Sequence, residues 1–431
     1  MAFVERSKAL MPVFIRLCIA AAAALLTPPA TAATVGTIDP VDLQADLRIA
    51  LDTIERLHPD LSHSVTKADL EQAAEKVSEQ LTRPMTQDEA WAALAQLNPI
   101  MADGHLFVGL PDWRGQSAEA IRQGKGFFPF EVSLDGDGYP VINTALGGAT
   151  TPLAGRRILR INGQDARMIA DTLLARAHGD TLAFRTALVS QRWWLLHWKL
   201  YGAPSSYDLV LSGSAETHRV PAGYVLPAVL QQEASFERLF QCRVDADGDA
   251  QMTISAFYWE DKERFYRFTQ DCFAQMKAAS TKHLVIDVSA NGGGDDDMWK
   301  QGILRYIATQ PYKHGSTYVK REKTGEITEG MIETATQPGV DEPLKFSGKV
   351  TVLIGPLTYS SAVLFSNVMR DYGFATISGT GNAARARQSG GVQQLTLPNS
   401  GLVLSYPRFV LDPPSGERSP FFLQPDAAPQ Q

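Results

Sequence analysis

Two adjacent serines, Ser360 and Ser361, lie in the segment GPLTYSSAVLFS (355–366), between an apolar, strand-like run and a segment with helical periodicity. Serine at such a junction commonly caps the helix, because its hydroxyl accepts a hydrogen bond from an orphan backbone N–H. A serine can also be a nucleophile once a neighbouring base removes its proton. The segment alone leaves both interpretations open.

A glycine-rich turn follows another apolar, strand-like run, HLVIDVSA (283–290). Asn291 and the three glycines 292–294 come directly after it. Glycines let the backbone turn sharply and bring its N–H groups close to a ligand, so this loop can bind an anion or a developing oxyanion. The loop lacks the lysine and the spacing of a phosphate-binding loop. A plain tight turn is the other interpretation.

The two segments together resemble a known family. A strand with D-V-x-x-N-G-G-G, then T-Y-S-S-A-x-x-F, then D-Y-G-x-A-x-x-x-G is similar to the serine peptidases that include the C-terminal processing (tail-specific) peptidases and the tricorn core protease. The resemblance implies that Ser360 is the nucleophile and that Ser361 supplies a backbone N–H to the oxyanion hole. Gly292 or Gly293 would supply the second N–H. One such donor is typically worth about 3 kcal/mol of transition-state stabilisation.

The position of the catalytic base separates two subgroups of that family. The processing peptidases resemble G-K-G-x-V-Q after the nucleophile and use the lysine, whereas this chain has RARQSGGVQ (385–393), with Ser389 at the lysine position. Arg387 is a poor base, because a guanidinium stays protonated at any working pH. The sequence therefore departs from a Ser-Lys dyad.

The tricorn-like subgroup uses an upstream histidine and a later glutamate. His105 in ADGHL and Glu417 in PPSGERSP stand where that resemblance expects them. The resemblance implies that His105 is the base and that Glu417 orients it. A structural histidine and a solvated glutamate beside an arginine are the alternatives.

The elements that position these residues follow from periodicity. Apolar residues at three- and four-residue intervals predict helices over about 40–102, and Asp103-Gly104-His105 is expected at a helix-to-strand junction. The stretch from about 127 to 220 is typical of strand and turn, with a predicted hairpin over 127–143 and a strand–turn–helix unit over 153–174. From about 235 on, strands alternate with helices, which favours an α/β layer structure. The resemblance implies a crotonase-like (ClpP/crotonase) core, an N-terminal helical domain and a β-rich module like a degenerate PDZ domain. For the segment at Asn162 and Gly163, a plain tight turn is the alternative to a PDZ-like module. The expected division is 1–32 signal peptide, 34–125 helical domain, 126–225 PDZ-like module and 226–431 catalytic core.

The first residues are typical of a secretory signal peptide. Basic residues precede the apolar stretch LCIAAAAALL, and the small-residue pattern Ala30-Thr31-Ala32 predicts cleavage after Ala32. A membrane anchor is the alternative, but the apolar stretch falls short of the roughly 20 residues that span a bilayer. Lipidation at Cys18 is disfavoured by the bulky residues before it. We expect a periplasmic or secreted protein with no membrane span after cleavage.

Composition limits the partners. Removal of residues 1–32 takes away three basic residues and one acidic residue, which changes the net charge from −7 to −9. An acidic chain without basic blocks disfavours nucleic acid, so we expect a peptide or protein substrate. No cofactor or metal is implied, and Asp295 to Asp297 fit a solvated turn. Pairing of Cys242 with Cys272 and the oligomeric state stay open.

The predicted function is that of an exported serine-type peptidase working through an acyl-enzyme. The alternative is a catalytically silent protein that binds a peptide or another ligand on the same scaffold. The missing lysine favours that alternative, whereas Ser360 and the glycine loop favour the enzyme. An acyl-CoA enzyme of the crotonase type would also have a glycine-lined oxyanion hole, but export away from CoA disfavours it.

Overall fold

The computed structural model describes residues 36–214, 216–339, 342–416 and 422–426. The predicted signal peptide and Glu417 lie outside these residues. Within them, no helix has both the length and the apolar character needed to cross a bilayer.

The N-terminal part is helical, as the spacing of its apolar residues predicts. Helix α3 starts with a capping box, in which the Thr86 hydroxyl accepts from the Glu89 N–H and the Glu89 carboxylate accepts from the Thr86 N–H. The tripeptide Asp103-Gly104-His105 lies at the expected helix-to-strand junction. The elements are α1 (Pro40–Leu57), α2 (Lys67–Ser78), α3 (Gln87–Leu94), α4 (Asn98–Met101), β1 (Phe107–Gly109) and α5 (Trp113–Arg122), with 3-10 turns at Leu61–His63 and Ala95–Leu97.

The middle part contains the predicted hairpin and the predicted strand–turn–helix unit. It also contains two helices, α7 and α8, where only strand and turn were expected, so that prediction is wrong over 182–201. Helix α8 reads WWLLHWKLY and buries all residues from Trp193 to His197, so no polar face reveals a helical period. The elements are β2 (Phe130–Leu134), β3 (Pro140–Ala145), β4 (Ile158–Ile161), β5 (Gln164–Asp165), α6 (Ala166–Leu174), α7 (Leu182–Gln191), α8 (Trp193–Tyr201), β6 (Ser206–Leu211) and β7 (Thr217–Pro221).

The last part contains the predicted strands separated by helices, but strands also follow one another without an intervening helix over 317–354 and 376–411. Its first elements are α9 (Ala228–Glu233), α10 (Phe236–Leu239), β8 (Phe240–Val244), β9 (Asp249–Ile254), α11 (Lys262–Ala278), β10 (His283–Asp287), α12 (Asp296–Trp299) and α13 (Arg305–Ile307), with a π-helical segment at Lys300–Leu304. Then follow β11 (Thr317–Arg321), β12 (Ile327–Met331), β13 (Lys349–Ile354), α14 (Ser361–Asp371), β14 (Thr376–Gly379), β15 (Gln388–Gly390), β16 (Gln393–Thr396), β17 (Val403–Tyr406) and β18 (Phe409–Leu411).

The central sheet has the strand order β14-β13-β10-β9-β8. Its first four strands are parallel, and β8 adds antiparallel to β9. Because the carboxyl ends of parallel strands lie at one edge of a sheet, the loops that leave β10 and β13 meet there. One loop carries the glycines 292–294 and the other carries Ser360.

Smaller sheets connect distant parts of the sequence. Strand β1 pairs with β17 in the order β1-β17-β16, and β15 lies at one end of the order β12-β11-β18-β15. The remaining strands form the ladder β2-β3 and the antiparallel sheet β5-β4-β6-β7. The β1–β17 pairing ties the segment after His105 to the C-terminal part of the chain.

Cys242 and Cys272 form a disulfide between β8 and α11, with their Cα atoms 5.9 Å apart. Cys272 is fully buried among the apolar residues that pack on the central sheet. The pairing that the sequence leaves open is therefore formed in the structure.

Candidate active site

Ser360 occupies the turn between β13 and α14 in a strained conformation. Its backbone has φ +54° and ψ −125°, which serine rarely adopts outside over-determined sites. Its N–H donates to Gln388 Oε1 over 3.0 Å. Its side chain does not cap α14, and no hydrogen bond to its hydroxyl occurs among the described residues. The capping interpretation of this hydroxyl is therefore wrong.

The neighbouring Ser361 has the opposite surroundings. Its side chain is buried, its hydroxyl donates to Asp296 Oδ1, and it accepts from Trp299 Nε1 over 2.9 Å. Asp296 is thus a structural partner rather than part of a merely solvated turn. Of the two serines, Ser360 alone presents a hydroxyl that no described residue engages.

The glycine loop approaches Ser360 so closely that only glycine fits at position 293. Gly293 has φ +103°, and a Cβ atom there would lie 2.6 Å from the Ser360 Cβ. The Gly293 N–H donates to Asn291 Oδ1 over 2.8 Å. Gly292 is exposed, and neither its N–H nor that of Ser361 meets an acceptor among the described residues. The free donors beside Ser360 are therefore those of Gly292 and Ser361.

His105 is held by its own neighbours in the sequence. It is 8% exposed, and its backbone N–H donates to Asp103 Oδ1 over 2.7 Å. Its Nδ1 lies 3.0 Å from Ser389 Oγ, whereas its Nε2 contacts no hydrogen-bonding group of the described residues. The His105 ring packs against Tyr359, with ring centroids 4.9 Å apart.

Ser389 connects the histidine to a buried carboxylate. Its hydroxyl donates to Asp103 Oδ1 over 2.8 Å. A hydroxyl has one proton, so Ser389 Oγ must accept at its contact with His105, and Nδ1 must carry the hydrogen. The hydrogen bonds therefore assign the tautomer whose Nε2 lone pair is free to take a proton.

The electrostatics of the site favour an ionised Asp103 beside a neutral His105. Burial alone would raise the pKa of the Asp103 carboxyl, but His63, His105 and His58 together hold it below its ordinary value. Burial lowers the pKa of His105, and the charge of Asp103 offsets only part of this effect. The imidazole is thus neutral at neutral pH.

A second buried carboxylate, that of Asp180, is bonded to Tyr359, whose ring packs against His105. Asp180 Oδ1 accepts from the Tyr359 hydroxyl over 2.6 Å, and burial together with the charge of Asp103 raises the pKa of Asp180 to about 6. The Gly104 N–H donates to the Tyr359 hydroxyl over 2.9 Å. Tyr359, the residue before Ser360, is therefore hydrogen-bonded to Gly104, the residue before His105.

Strand β15 forms another link between the two halves. Gln388 accepts from the Ser360 N–H, and its neighbour Ser389 contacts His105. Both links bring the expected nucleophile and the expected base to one region. The sequence did not reveal Asp103 and Ser389 as hydrogen-bond partners in this site, because no local pattern connects residues 286 positions apart.

A cleft of about 830 Å³ opens beside these residues. One wall carries Gly104, His105, Gly292, Gly293 and Tyr359. The other walls are largely apolar and include Phe184, Leu188, Leu239, Trp259 and Leu357. This volume is in the range of protein clefts that bind small ligands or peptide side chains.

The other residues considered from the sequence lie as follows. Arg387 forms ion pairs with Asp60 and Asp412, both with N–O distances of 3.0 Å. In the described parts of the chain, no group of three or more His, Cys, Asp or Glu side chains has a metal-binding arrangement. Glu417 lies outside those parts.

Comparisons with known proteins found one matching family model and solved structures with a similar fold. Residues 250–427 match the model of peptidase family S41. No curated protein matches the sequence. A structure of mature CPAF complexed with lactacystin is similar to this chain with a TM-score of 0.64 at 16% identity, over 90% of this chain and 94% of the other. A structure of mature CPAF has a TM-score of 0.61 at 15% identity, over 90% and 92%. The photosystem II D1 C-terminal processing protease has a TM-score of 0.47 at 14% identity, over 90% and 92%.

Proposed function

We propose that this serine-type peptidase, whose residues 250–427 match the model of peptidase family S41, hydrolyses peptide bonds through an acyl-enzyme on Ser360, with His105 as the general base. We place it in the tricorn-like subgroup, which lacks the catalytic lysine. The observation that carries this proposal is the hydrogen-bonded chain Asp103–Ser389–His105. It leaves a neutral Nε2 free in the cleft that the nucleophile turn borders.

Each half of the site has a role in the reaction. His105 Nε2 takes the proton of Ser360 as its oxygen attacks the substrate carbonyl, and the N–H groups of Gly292 and Ser361 stabilise the oxyanion. His105 then gives that proton to the leaving amine as the C–N bond breaks. Water repeats these steps on the acyl-enzyme and releases the acid. Asp103 stabilises the imidazolium through Ser389.

This arrangement supplies the base with a carboxylate other than Glu417. The family resemblance implies that Glu417 orients the histidine, but the Nδ1 of His105 already has Ser389 as its partner. We propose Asp103 as the carboxylate behind the base. An orienting role of Glu417 stays a prediction.

We further propose that the mature protein is periplasmic or secreted and divided as the sequence predicts, at about 125 and 225. The Cys242–Cys272 disulfide supports an oxidising compartment. N-terminal sequencing of protein recovered from its native compartment should give a chain that begins near Ala33. A cytoplasmic form that keeps Met1 would contradict export.

A fluorophosphonate probe tests the enzyme directly. The probe should label the purified mature chain, and mass spectrometry should locate it on Ser360. Ser360→Ala should abolish both labelling and peptide cleavage without unfolding the protein. Ser361→Ala should keep labelling, because the Ser361 hydroxyl is bonded to Asp296 and Trp299 and only its backbone N–H takes part in the proposed reaction. A folded wild-type protein that takes no label would instead favour a silent binding protein.

A further inference from the structure

Arg192 is a cation in the cleft that makes no ion pair of its own with the residues that the structure describes. It connects α7 to α8 and lines the same cleft as His105 and the glycine loop. Its guanidinium forms no hydrogen bond or ion pair with any described residue, and its Nε is buried without a partner. Burying a charge costs free energy unless a partner compensates it, so an anionic group of a ligand would stabilise this position.

The other charged groups around the cleft already have partners or lie in the open. Arg114 forms two parallel hydrogen bonds with Glu233, at 2.6 and 2.8 Å. Asp261 accepts from the first turn of α11, and Glu260 is exposed to solvent. Among the described residues that line the cleft, Arg192 is thus the cation left for a ligand.

The neighbours of Arg192 hold it in place without neutralising it. Its guanidinium faces the ring of Trp113 at 5.0 Å, and Trp113 packs against the buried Trp194. His178, which lines the same cleft, is neutral because burial lowers its pKa to about 3. Burial and the charge of Arg114 lower the pKa of Arg192 to about 10, and the charge of Glu233, which is paired directly with Arg114, offsets part of this effect. Arg192 therefore keeps its charge at neutral pH.

The geometry points to Arg192 as the binding site for a carboxylate group of the peptide substrate, a specificity determinant of the peptidase proposed above. A planar guanidinium fits a carboxylate through paired N–H···O bonds, and the low-dielectric wall strengthens them. The carboxylate is either the C-terminal group of the peptide or the side chain of an aspartate or glutamate. Both sources share the chemistry that Arg192 recognises. This inference rests on the proposed function.

A peptide library separates the two sources. Random peptides of one length are made as C-terminal acids and as C-terminal amides, each with either Asp and Glu or Asn and Gln at the variable positions. Cleavage by the wild-type protein, Arg192→Met, Arg192→Lys and Arg243→Met is followed by mass spectrometry. Arg243 is an exposed arginine on the edge strand β8 and controls for the loss of one positive charge.

The wild-type protein should prefer peptides with at least one carboxylate. Arg192→Met should lower kcat/KM for those peptides about 10- to 100-fold, mainly through KM, because a charged hydrogen bond is lost. Peptides without a carboxylate should change much less. Arg192→Lys should restore part of the preference, and Arg243→Met should match the wild-type protein. Loss of the preference on amidation identifies the C-terminal group, and loss on replacement of Asp and Glu identifies a side chain.

Two results would overturn the inference. Equal losses on charged and uncharged peptides in Arg192→Met would make Arg192 a structural residue packed on Trp113. A wild-type protein that cleaves all four libraries equally would also refute it, while fluorophosphonate labelling of Ser360 would still support the proposed function. A wild-type protein that takes no label would instead refute both.

Discussion

The two halves of the site are built in different ways. The nucleophile half, named for the proposed nucleophile Ser360, uses backbone from two loops at one edge of the central sheet. Ser360 has positive φ, Gly293 packs against it, and Gly292 and Ser361 present their N–H groups. The base half uses side chains from distant segments, among them Asp103, His105 and Ser389.

This difference has a chemical consequence. Backbone donors carry no titratable group and survive most side-chain substitutions, so the nucleophile half should respond to shape rather than to pH. The base half relies on proton positions and charge, so a substitution that preserves shape should still disable it. Single variants can therefore separate the two halves.

The largest effect should come from the base itself. His105→Ala removes the group that takes the Ser360 proton, and loss of such a histidine in serine peptidases costs on the order of 10⁶-fold in kcat. The measurement is turnover of a cleaved peptide by the purified variant. His283→Ala is the matched control, because His283 contacts Thr351 on the central sheet and should keep turnover. A His105→Ala variant with wild-type turnover would make His105 structural.

The carboxylate behind the base should have the next largest effect. Asparagine in place of Asp103 can donate to Ser389, which would then donate to His105 Nδ1 and fix the tautomer that carries hydrogen on Nε2. A wrong tautomer of this kind costs about 10⁴-fold in kcat in a direct triad. Through the Ser389 bridge we expect about 10²- to 10⁴-fold for Asp103→Asn.

Ser389→Ala tests the bridge separately. It removes the partner of His105 Nδ1 but keeps the charge of Asp103, so kcat should fall by less than in Asp103→Asn. This expectation replaces the sequence-based one, in which Ser389 only marks the absence of a lysine. Wild-type kcat in both variants, with the fold intact by circular dichroism, would show that the base works without them.

Substitutions of Gly292 and Gly293 test the nucleophile half of the site. In Gly293→Ala the new methyl group would lie 2.6 Å from the Ser360 Cβ, so the nucleophile must shift. A displacement of about 1 Å costs about 10²-fold in rate. Gly292→Ala keeps the backbone donor, and its methyl group would meet nothing within 4 Å, so its kcat should change much less. Equal kcat losses in the two variants would refute the close contact as the cause.

The sequence could predict the nucleophile half because its signals are local. Apolar runs predict the strands at 283–287 and 349–354, and three successive glycines mark the turn that follows the first of them. Positive φ at Ser360 leaves no mark in the residue type. The choice of Gly292 as the free donor depends on the Asn291 side chain, which only the structure reveals.

The sequence could not predict the base half in full because its contacts are long-range. His105 became a candidate through family resemblance alone, and Ser389 looked like a lost lysine. Their contact exists because the fold brings the α4–β1 junction and β15 to one cleft. Helices α7 and α8, which supply the wall with Arg192, were missed because α8 is apolar on most of its surface.

The smallest effect at neutral pH concerns the titration of the base. Only a neutral imidazole accepts the serine proton, so kcat/KM should fall as the pH drops through the pKa of His105 in the free enzyme. Burial lowers that pKa, so the acid limb of the pH profile of kcat/KM should have its midpoint below about 6.5, the ordinary pKa of histidine. Activity at pH 7 should not be reduced. A limb at or above about 6.5 would contradict this environment.

Unfolding must be separated from titration in that experiment. Burial also lowers the pKa values of His58 and His63 to about 4. Between about 6.5, the ordinary value, and about 4 the unfolded chain binds more protons than the folded one, so stability falls as the pH drops through this window. Tryptophan fluorescence at each pH identifies the range in which the fold persists.

Within that range, Asp103→Asn should move the acid limb to lower pH, because the carboxylate stabilises the imidazolium and so raises the pKa of His105. Asp180, with its pKa near 6, titrates in the same region through Tyr359. Asp180→Asn also removes a nearby negative charge, but Asp180 has no direct hydrogen bond to the imidazole or to Ser389, so the limb should move less. If the acid limb of the pH profile moves more in Asp180→Asn than in Asp103→Asn, the titration of Asp180, which is bonded to Tyr359, controls the activity. The base half would then be a relay of two carboxylates.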